Sequence, residues 1–174
     1  MKHMKTHILT VIVVSMVLVA CGYRFSPGGE HIDKNIRTVF VGNLTNLTSE
    51  ANLENYVRGA FITQFRKVYR FELAESRDRA DALITGSVTR LNISHASYKT
   101  TEVAAEDRVT VTLDVTFKKR KTNEIIWRDR NFTGRRTFVV ADNTNVTERN
   151  KKDALRELAD EMAKRAYRSI MSDF

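Results

Sequence analysis

The sequence predicts an α+β protein, a two-layer α/β sandwich in which two helices cover one face of a mostly antiparallel sheet of about four strands. The stretch 108–118 alternates apolar and polar residues throughout, which is typical of a strand with one buried face. Two other stretches, 49–68 and 147–171, repeat apolar residues at helical spacing. The predicted order of strand, helix, further strands and a last helix leaves the second face of the sheet polar and free.

The first 20 residues resemble a removable lipoprotein signal peptide. A basic head with Lys2 and Lys5 precedes the uncharged apolar run 8–20. A helix of about 13 residues would span only about 20 Å, whereas the hydrocarbon core is about 30 Å thick. The run is therefore too short to cross a membrane and fits a signal sequence.

The stretch Leu18-Val19-Ala20-Cys21 resembles the bacterial lipobox, which implies cleavage before Cys21 and a lipid on its thiol. An ordinary secreted protein with a free thiol is the alternative.

The lipobox divides the chain into three predicted parts. Residues 1–20 form the signal peptide, 21–36 the lipidated N-terminus and tether, and 37–174 a single domain. The tether contains the only proline and a Gly28-Gly29 pair. Several acyl chains on Cys21 would anchor the protein stably. Because glycine, not aspartate, follows Cys21, the outer membrane is the expected location, with the domain on its periplasmic side.

Composition limits the kinds of partner. Removal of residues 1–20 from the 174-residue chain lowers the net charge from +8 to +6. A basic protein attracts anions over long range. At an outer membrane these anions are lipid phosphates and lipopolysaccharide, so no nucleic-acid partner is expected. The single cysteine excludes an intrachain disulfide.

The first half of the domain predicts one helix between short strands. A strand at 38–41 leads through an Asn/Thr-rich turn at 42–48 to Ser49, the predicted N-cap of the first helix. That helix carries an apolar stripe as far as Val68 and is followed by a brief strand at 71–73. We expect the stripe to be core, because Phe and Val at helical spacing are far more often core than ligand site.

The second half predicts a meander and a long helix. The strand 82–93 shifts its alternation between Val88 and Leu91, which indicates a bulge or a strong twist. A hairpin connection at 94–106 leads to the strand 108–118. After a charged turn the chain returns through 125–132, and 134–138 bends or extends this edge. A helix from Thr147 or Asn150 to Met171 closes the fold.

The residues needed for catalysis do not occur in usable patterns. The mature chain has only His31 and His95, far apart in sequence, and it contains no motif for a metalloprotease, a hydrolase nucleophile or a nucleotide phosphate. Asp78 and Asp81 lie in a charged turn, where carboxylates are usually solvated. We therefore expect no enzyme activity, no metal site and no cofactor.

Basic residues of the predicted hairpin form a candidate lipopolysaccharide-binding set. Arginine binds phosphate with paired hydrogen bonds, and lysine acts as a point charge. Charged hairpin tips also serve solubility and block edge pairing, so a structural role is the open alternative. The candidates are Lys118, Lys119, Arg120, Lys121, Arg128, Arg130, Arg135 and Arg136.

Four stretches together carry a family resemblance. They are the mature start Cys21-Gly22-Tyr23-Arg24-Phe25 and the segments 38–46, 80–88 and 121–127. In this order they resemble the LptE family of lipopolysaccharide-assembly lipoproteins, over almost the whole mature chain. The resemblance implies a non-enzymatic lipoprotein that sits partly inside the outer-membrane β-barrel LptD as a plug, helps this barrel assemble and binds lipopolysaccharide.

A second resemblance points to another class of protein. The segment 39–88 is also similar to curli-secretion lipoproteins, whose subunits form a homo-oligomeric export pore. Such subunits normally continue with membrane-spanning strands, for which this chain is too short. A nucleic-acid-binding module would rest on net charge alone.

Overall fold

Six strands and two helices make up the part of the chain that the structure, a computed structural model, describes, namely residues 32–97 and 105–172. A 3-10 turn at Arg77–Arg79 precedes the longest strand. The predicted signal peptide, Cys21 and most of the predicted tether lie outside the described residues. In chain order the elements are β1 (Thr38–Val41), β2 (Thr45–Asn46), α1 (Leu53–Lys67), β3 (Glu72–Leu73), β4 (Ala82–Ser97), β5 (Glu106–Lys119), β6 (Ile125–Val139) and α2 (Thr144–Met171).

The sheet has the order β3-β1-β4-β5-β6, and β2 also pairs with β4. The pairs β1–β3, β1–β4 and β2–β4 are parallel, whereas β4–β5 and β5–β6 are antiparallel. The prediction of about four mostly antiparallel strands is therefore wrong in number and in part in direction. Two parallel neighbours need a crossover, and α1 supplies it between β1 and β3. The two-residue β2 falls in the stretch predicted as a turn, because a pair this short has no periodicity.

The antiparallel meander β4–β5–β6 forms the long part of the sheet. Its register shifts between Val88 and Arg90, which confirms the bulge that the change of alternation predicts. The two stretches predicted after residue 124 form the single strand β6, which pairs with β5 as far as Val139. Part of the predicted 94–106 connection belongs to β4, and its residues 98–104 lie outside the described residues.

The helix starts differ from the predicted ones. The first helix begins at Leu53 and not after Ser49, so the predicted N-cap is wrong. Asn52 occupies the capping position with a left-handed backbone (φ 66°) and makes no side-chain capping bond. The second helix starts at Thr144, where the side chain of Asn143 accepts a hydrogen bond from the Asn145 amide at 2.9 Å.

The core lies between the helices and one face of the sheet. The α1 stripe is buried as predicted, and its Phe65 contacts the ring of Phe71 at 5.8 Å and that of Tyr167 on α2 at 5.3 Å. Phe71 in turn contacts Phe117 of β5 at 5.9 Å. This aromatic cluster joins both helices to the sheet. None of the helices among the described residues is long and apolar enough to span a membrane.

The predicted two-faced character of β5 is confirmed. Its residues Val109, Val111, Leu113, Val115 and Phe117 are buried under the helices. The intervening side chains lie on the opposite face, which we call the open face, and continue on β4 and β6 at the paired positions. Thr112 is the one buried polar residue there among the described residues, and its hydroxyl lies 3.3 Å from that of Thr133.

Asp81 connects the start of β4 to β1 by hydrogen bonds, and its substitution by asparagine is expected to destabilise the fold. Its Oδ2 accepts hydrogen bonds from the amide of Thr38 at 2.9 Å, the amide of Arg37 at 3.0 Å and the Thr38 hydroxyl at 2.9 Å. These bonds, the Thr38 amide first, hold the pKa of Asp81 below its usual value. Replacing a charged acceptor by Asp81→Asn is expected to cost about 1.5–3 kcal/mol of unfolding free energy.

The effect of Asp81→Asn depends on pH. Because the folded pKa is lower than the unfolded value of about 3.9, the carboxylate stabilises the fold above that value, and this contribution is lost as pH falls through the folded pKa. Urea unfolding at pH 7 and pH 3 measures this. The difference in unfolding free energy between wild type and Asp81→Asn should shrink at pH 3. The same difference for a variant at the exposed Asp78, Asp78→Asn, should be close to zero at either pH. A difference for Asp81→Asn unchanged by pH would contradict the role of the ionised carboxylate.

Candidate functional site

The described domain has two ends of different character. The strands β1, β3 and β4 start at one end of the domain, and both helices finish at that same end. The contacts among the rings of Phe65, Phe71, Phe117 and Tyr167 show that these elements meet there. The β5–β6 turn lies at the same end, since Ala82 pairs with Lys119. We call this the basic end and the opposite one the distal end. The basic end consists of residues 33–37, 66–81, 118–124 and 168–172.

The structure does not bring the eight predicted basic residues into one patch. Four of them, Lys118–Lys121, lie at the β5–β6 turn of the basic end. Arg128 and Arg130 lie farther along β6, and Arg135 and Arg136 approach the distal end. At about 3.3 Å per residue, ten residues of strand separate the start of β6 from Arg135 by about 33 Å. A single small anion cannot contact both groups.

Four of these side chains are held by interactions within the chain. Lys119 Nζ lies 2.9 Å from Glu124 Oε2 and 3.7 Å from Asp33 Oδ2, and the hydrogen bond to Glu124 raises the pKa of Lys119. Arg120 donates from Nε to the Ala80 carbonyl at 2.6 Å. These contacts close the turn against the start of β1 and β4.

The third, Arg128, lies on the open face and is paired there. Its Nη2 is 2.8 Å from Asp114 Oδ2 and its Nε is 3.2 Å from Asp114 Oδ1, a two-pronged contact across β5 and β6. The hydrogen bond to Asp114 raises the pKa of Arg128. The charge of Arg128 is thus largely compensated within the sheet.

Arg136 lies on the other side of β6, beneath α2. Its guanidinium pairs with Glu157 and Glu161 of that helix. It therefore joins β6 to α2, and its side chain does not share the open face with Arg135. Next to it, Gly134 leaves room for α2, because a Cβ there would lie 2.7 Å from Met162 Sδ.

The open face gathers three arginines, of which only Arg135 is among the predicted residues. Arg108 on β5 pairs with Thr137, and Arg135 on β6 pairs with Thr110, so both arginines project from the same face. The spacing of strands places their Cα atoms roughly 8 Å apart. Arg90 on β4 belongs to the same face, opposite Thr112. Arg90 and Arg108 occupy polar positions of alternating strands, and this signal is present in the sequence.

These three arginines, which we call the open-face arginines, are exposed and have no ion pair within residues 32–97 and 105–172. Arg108 and Arg135 line an open cavity of about 440 Å³ together with Arg136 and Thr137. Glu106 lies two residues from Arg108 on the same face, and Asp114 is already paired with Arg128. Uncompensated guanidinium groups beside threonine hydroxyls form a surface that can bind a phosphate group.

Groups for other chemistry are not assembled in the described part of the chain. No three His, Cys, Asp or Glu side chains lie close enough there to hold a metal ion. His95 lies at the distal end, with its Nδ1 2.6 Å from Asp107 Oδ1. Asp78 is exposed, and Asp81 is used by the backbone of β1.

Comparison with known proteins gives one family and several similar folds. A family model described as "LptE: Lipopolysaccharide-assembly" matches residues 36–171. Among solved structures, protein XCC0632 from Xanthomonas campestris is 12% identical with a TM-score of 0.51, over 75% of this chain and 83% of that one. A putative lipoprotein from Caulobacter crescentus is also 12% identical, with a TM-score of 0.50 over 74% and 88% of the two chains.

A further similar structure has a lower score. The PelC dodecamer from Paraburkholderia phytofirmans is 11% identical, with a TM-score of 0.48 over 86% of this chain and 96% of that one. No curated protein sequence gives a significant match. At these identities the structures from Xanthomonas campestris and Caulobacter crescentus show a shared fold alone.

Proposed function

The chain belongs to the LptE family of lipopolysaccharide-assembly proteins, and from this we propose that it is an outer-membrane lipoprotein that assists the insertion of lipopolysaccharide. The match to residues 36–171, which is most of the described domain, carries the proposal. In the proposal Cys21 bears the lipid that holds the domain on the periplasmic side of the outer membrane. The protein acts by binding and assembly and has no enzyme activity.

We further propose that the domain works as the plug of an LptD-like β-barrel. The lumen of an outer-membrane barrel is polar, whereas its outer surface is apolar. The open face offers a matching surface, because the residues of β5 that point to it are polar or charged. A folded domain with one polar sheet face can therefore enter such a lumen without exposing apolar side chains of that face to the water inside it.

The open-face arginines are the proposed contact for lipopolysaccharide phosphates. Arg135 comes from the predicted set, and Arg90 and Arg108 join it on the same face. Lys119, Arg120, Arg128 and Arg136 are engaged by other groups of the chain, so a phosphate would have to compete with those contacts. Arg130 is exposed on β6. Lys118 and Lys121 lie at the basic end, far from Arg135.

Removal of two of these charges tests the lipopolysaccharide contact. The double variant Arg108→Gln with Arg135→Gln is expected to weaken binding of purified lipopolysaccharide by about a hundredfold or more, because each of the two lost charged hydrogen bonds costs about 1.5 kcal/mol or more. Displacement of a fluorescent lipid A ligand measures the affinity.

The matched control removes the same charge elsewhere. Lys152 and Lys164 are exposed on α2 and have no ion pair in the described residues, so Lys152→Gln with Lys164→Gln should change the affinity less than threefold. Equal losses in the two double variants would show that net charge alone attracts the glycolipid. Full affinity in the Arg108 and Arg135 variant would remove the open face as the contact.

A further inference from the structure

Charge is distributed unevenly along the described domain. The basic end holds twelve arginines and lysines against six aspartates and glutamates. The remaining described residues hold thirteen against twelve, which nearly cancel. Almost all of the excess positive charge of the described domain therefore lies at one end.

The acidic groups of the basic end are largely occupied by the fold. Asp81 accepts hydrogen bonds from β1, Glu75 pairs with Arg79 at 3.3 Å, and Asp33 and Glu124 share Lys119. By contrast, Lys34, Lys118 and Lys121 have no ion pair in the described part of the chain. These three lysines leave a positive surface around the β5–β6 turn, in which only Lys121 is partly balanced, by the charge of Asp81.

The polypeptide enters the fold at this same end. Ile32, the first described residue, is buried, and the residues after it are fixed by the Asp33–Lys119 pair and by a bond of 2.9 Å from Arg70 Nη1 to the Ile36 carbonyl. Eleven peptide steps separate Cys21 from Ile32, so the stretch between them spans at most about 40 Å. β4 has 16 residues and is about 53 Å long. A lipid on Cys21 therefore keeps the basic end within about 40 Å of the bilayer and excludes an upright orientation with the distal end on the surface.

Two exposed apolar side chains flank this end. Tyr69 is fully exposed between Lys67 and Arg70, and Ile125 is 53% exposed directly after the β5–β6 turn. Tyrosine favours the boundary between head groups and acyl chains, because its ring is apolar and its hydroxyl stays in water. Arginine and lysine beside it can contact lipid phosphates.

We propose that the basic end docks on the anionic phospholipid head groups of the leaflet that holds the lipid of Cys21. The proposal rests on the lipidation of Cys21 in the proposed function, and it gives the β5–β6 turn a role separate from lipopolysaccharide binding. Eleven residues of β5 separate Lys119 from Arg108, about 37 Å along the strand. Docking would thus direct Arg108 and Arg135 away from this leaflet.

A fluorescence quenching experiment on the lipidated full chain tests the docking. A lipidated Cys21 has no free thiol, so Thr122→Cys gives a single labelling site at the exposed turn, and Thr137→Cys gives a matched site near the distal end. Each labelled protein is reconstituted into vesicles of phosphatidylethanolamine and phosphatidylglycerol that contain a nitroxide on the head group. Strong quenching at residue 122 and little at residue 137 is expected.

Charge removal then separates docking from simple tethering. Each cation near an anionic surface contributes about fivefold to binding, so the triple variant Lys34→Gln, Lys118→Gln and Lys121→Gln should lower the docked-to-undocked ratio roughly a hundredfold. High salt or vesicles without phosphatidylglycerol should have the same effect. Equal quenching at the two sites, or quenching at residue 122 that ignores charge and salt, would overturn the proposal.

The same samples distinguish failure of the docking from failure of the lipidation. Wild-type protein takes up a thiol label only if Cys21 is free, and the intact mass shows any attached lipid. A lipidated protein without selective quenching at residue 122 would contradict docking alone. If an added barrel protein abolished the quenching by covering the turn, the basic end would be a protein contact, and the proposal would again be wrong.

Discussion

Substitution of Gly86 by alanine is expected to lower the free energy of unfolding by about 3 kcal/mol, more than usual for one added methyl group. Gly86 pairs with Val115 in the middle of the sheet. A Cβ at this position would lie 2.1 Å from the carbonyl oxygen of Asp114 and 3.1 Å from the Cα of Val115. Both are backbone atoms, so β4 and β5 must move apart to admit it, and their hydrogen bonds weaken.

Gly59 provides the matched control for Gly86→Ala. It is exposed on α1, and a Cβ there would meet nothing within 4 Å. Because alanine favours a helix over glycine, Gly59→Ala should stabilise the protein by about 0.5–1 kcal/mol. Thermal and urea unfolding, followed by circular dichroism, should thus give shifts of opposite sign. A Gly86→Ala protein as stable as wild type would show that β4 and β5 do not approach as closely as described.

The substitution Cys21→Ala is expected to abolish lipid attachment completely, since the thiol is the proposed attachment point. In cells fed with labelled palmitate, the wild-type protein should carry label and the variant none. Detergent-free extraction should retain the wild type in the outer-membrane fraction, because more than one acyl chain holds a protein stably. The variant should lose this lipid-dependent retention.

Ser26→Ala, a change close to the same site, serves as the control for Cys21→Ala. It leaves the lipobox intact and should be labelled like the wild type. Labelled palmitate on the Cys21→Ala protein, or an unmodified Cys21 in the wild type, would contradict the lipoprotein proposal. Neither result would change the family, which rests on residues 36–171.

Long periodic segments were predictable from the sequence, and short ones were not. The alternation of β5 and the stripes of both helices extend over many residues, so the α+β class, the helices and even the bulge after Val88 are confirmed. The parallel edge formed by β1, β2 and β3 has strands of two to four residues, which are too short to show a period. Their direction depends on the crossover through α1, and no local pattern reveals it.

The candidate site shows the same limit at the level of side chains. Clustering along the sequence singles out Lys118–Lys121, yet Lys119 pairs with Asp33, a residue 86 positions away. Arg136 likewise meets Glu157 and Glu161 only because α2 returns over β6. Conversely, Arg90 and Arg108 were not predicted, although both lie at polar positions of predicted strands. Proximity in the sequence therefore selects basic residues that are already paired and omits others that are free in the described part of the chain, whereas strand register identifies which charges share a face.

Two basic regions with different surroundings emerge from the fold. The open-face arginines lie beside threonines on the free side of the sheet, and the basic end surrounds the point where the chain enters the domain. In our account the first region contacts the glycolipid and the second contacts the anchoring leaflet. The variants proposed for the two regions share no residue, so their effects can be measured independently.

The most direct test of the account is to purify the native lipoprotein from outer membranes in mild detergent and to determine the composition of the complex by mass spectrometry. We expect one copy of this chain bound to one large β-barrel protein, together with lipopolysaccharide. A ring of identical copies without a barrel would contradict it and would favour a subunit of an export pore.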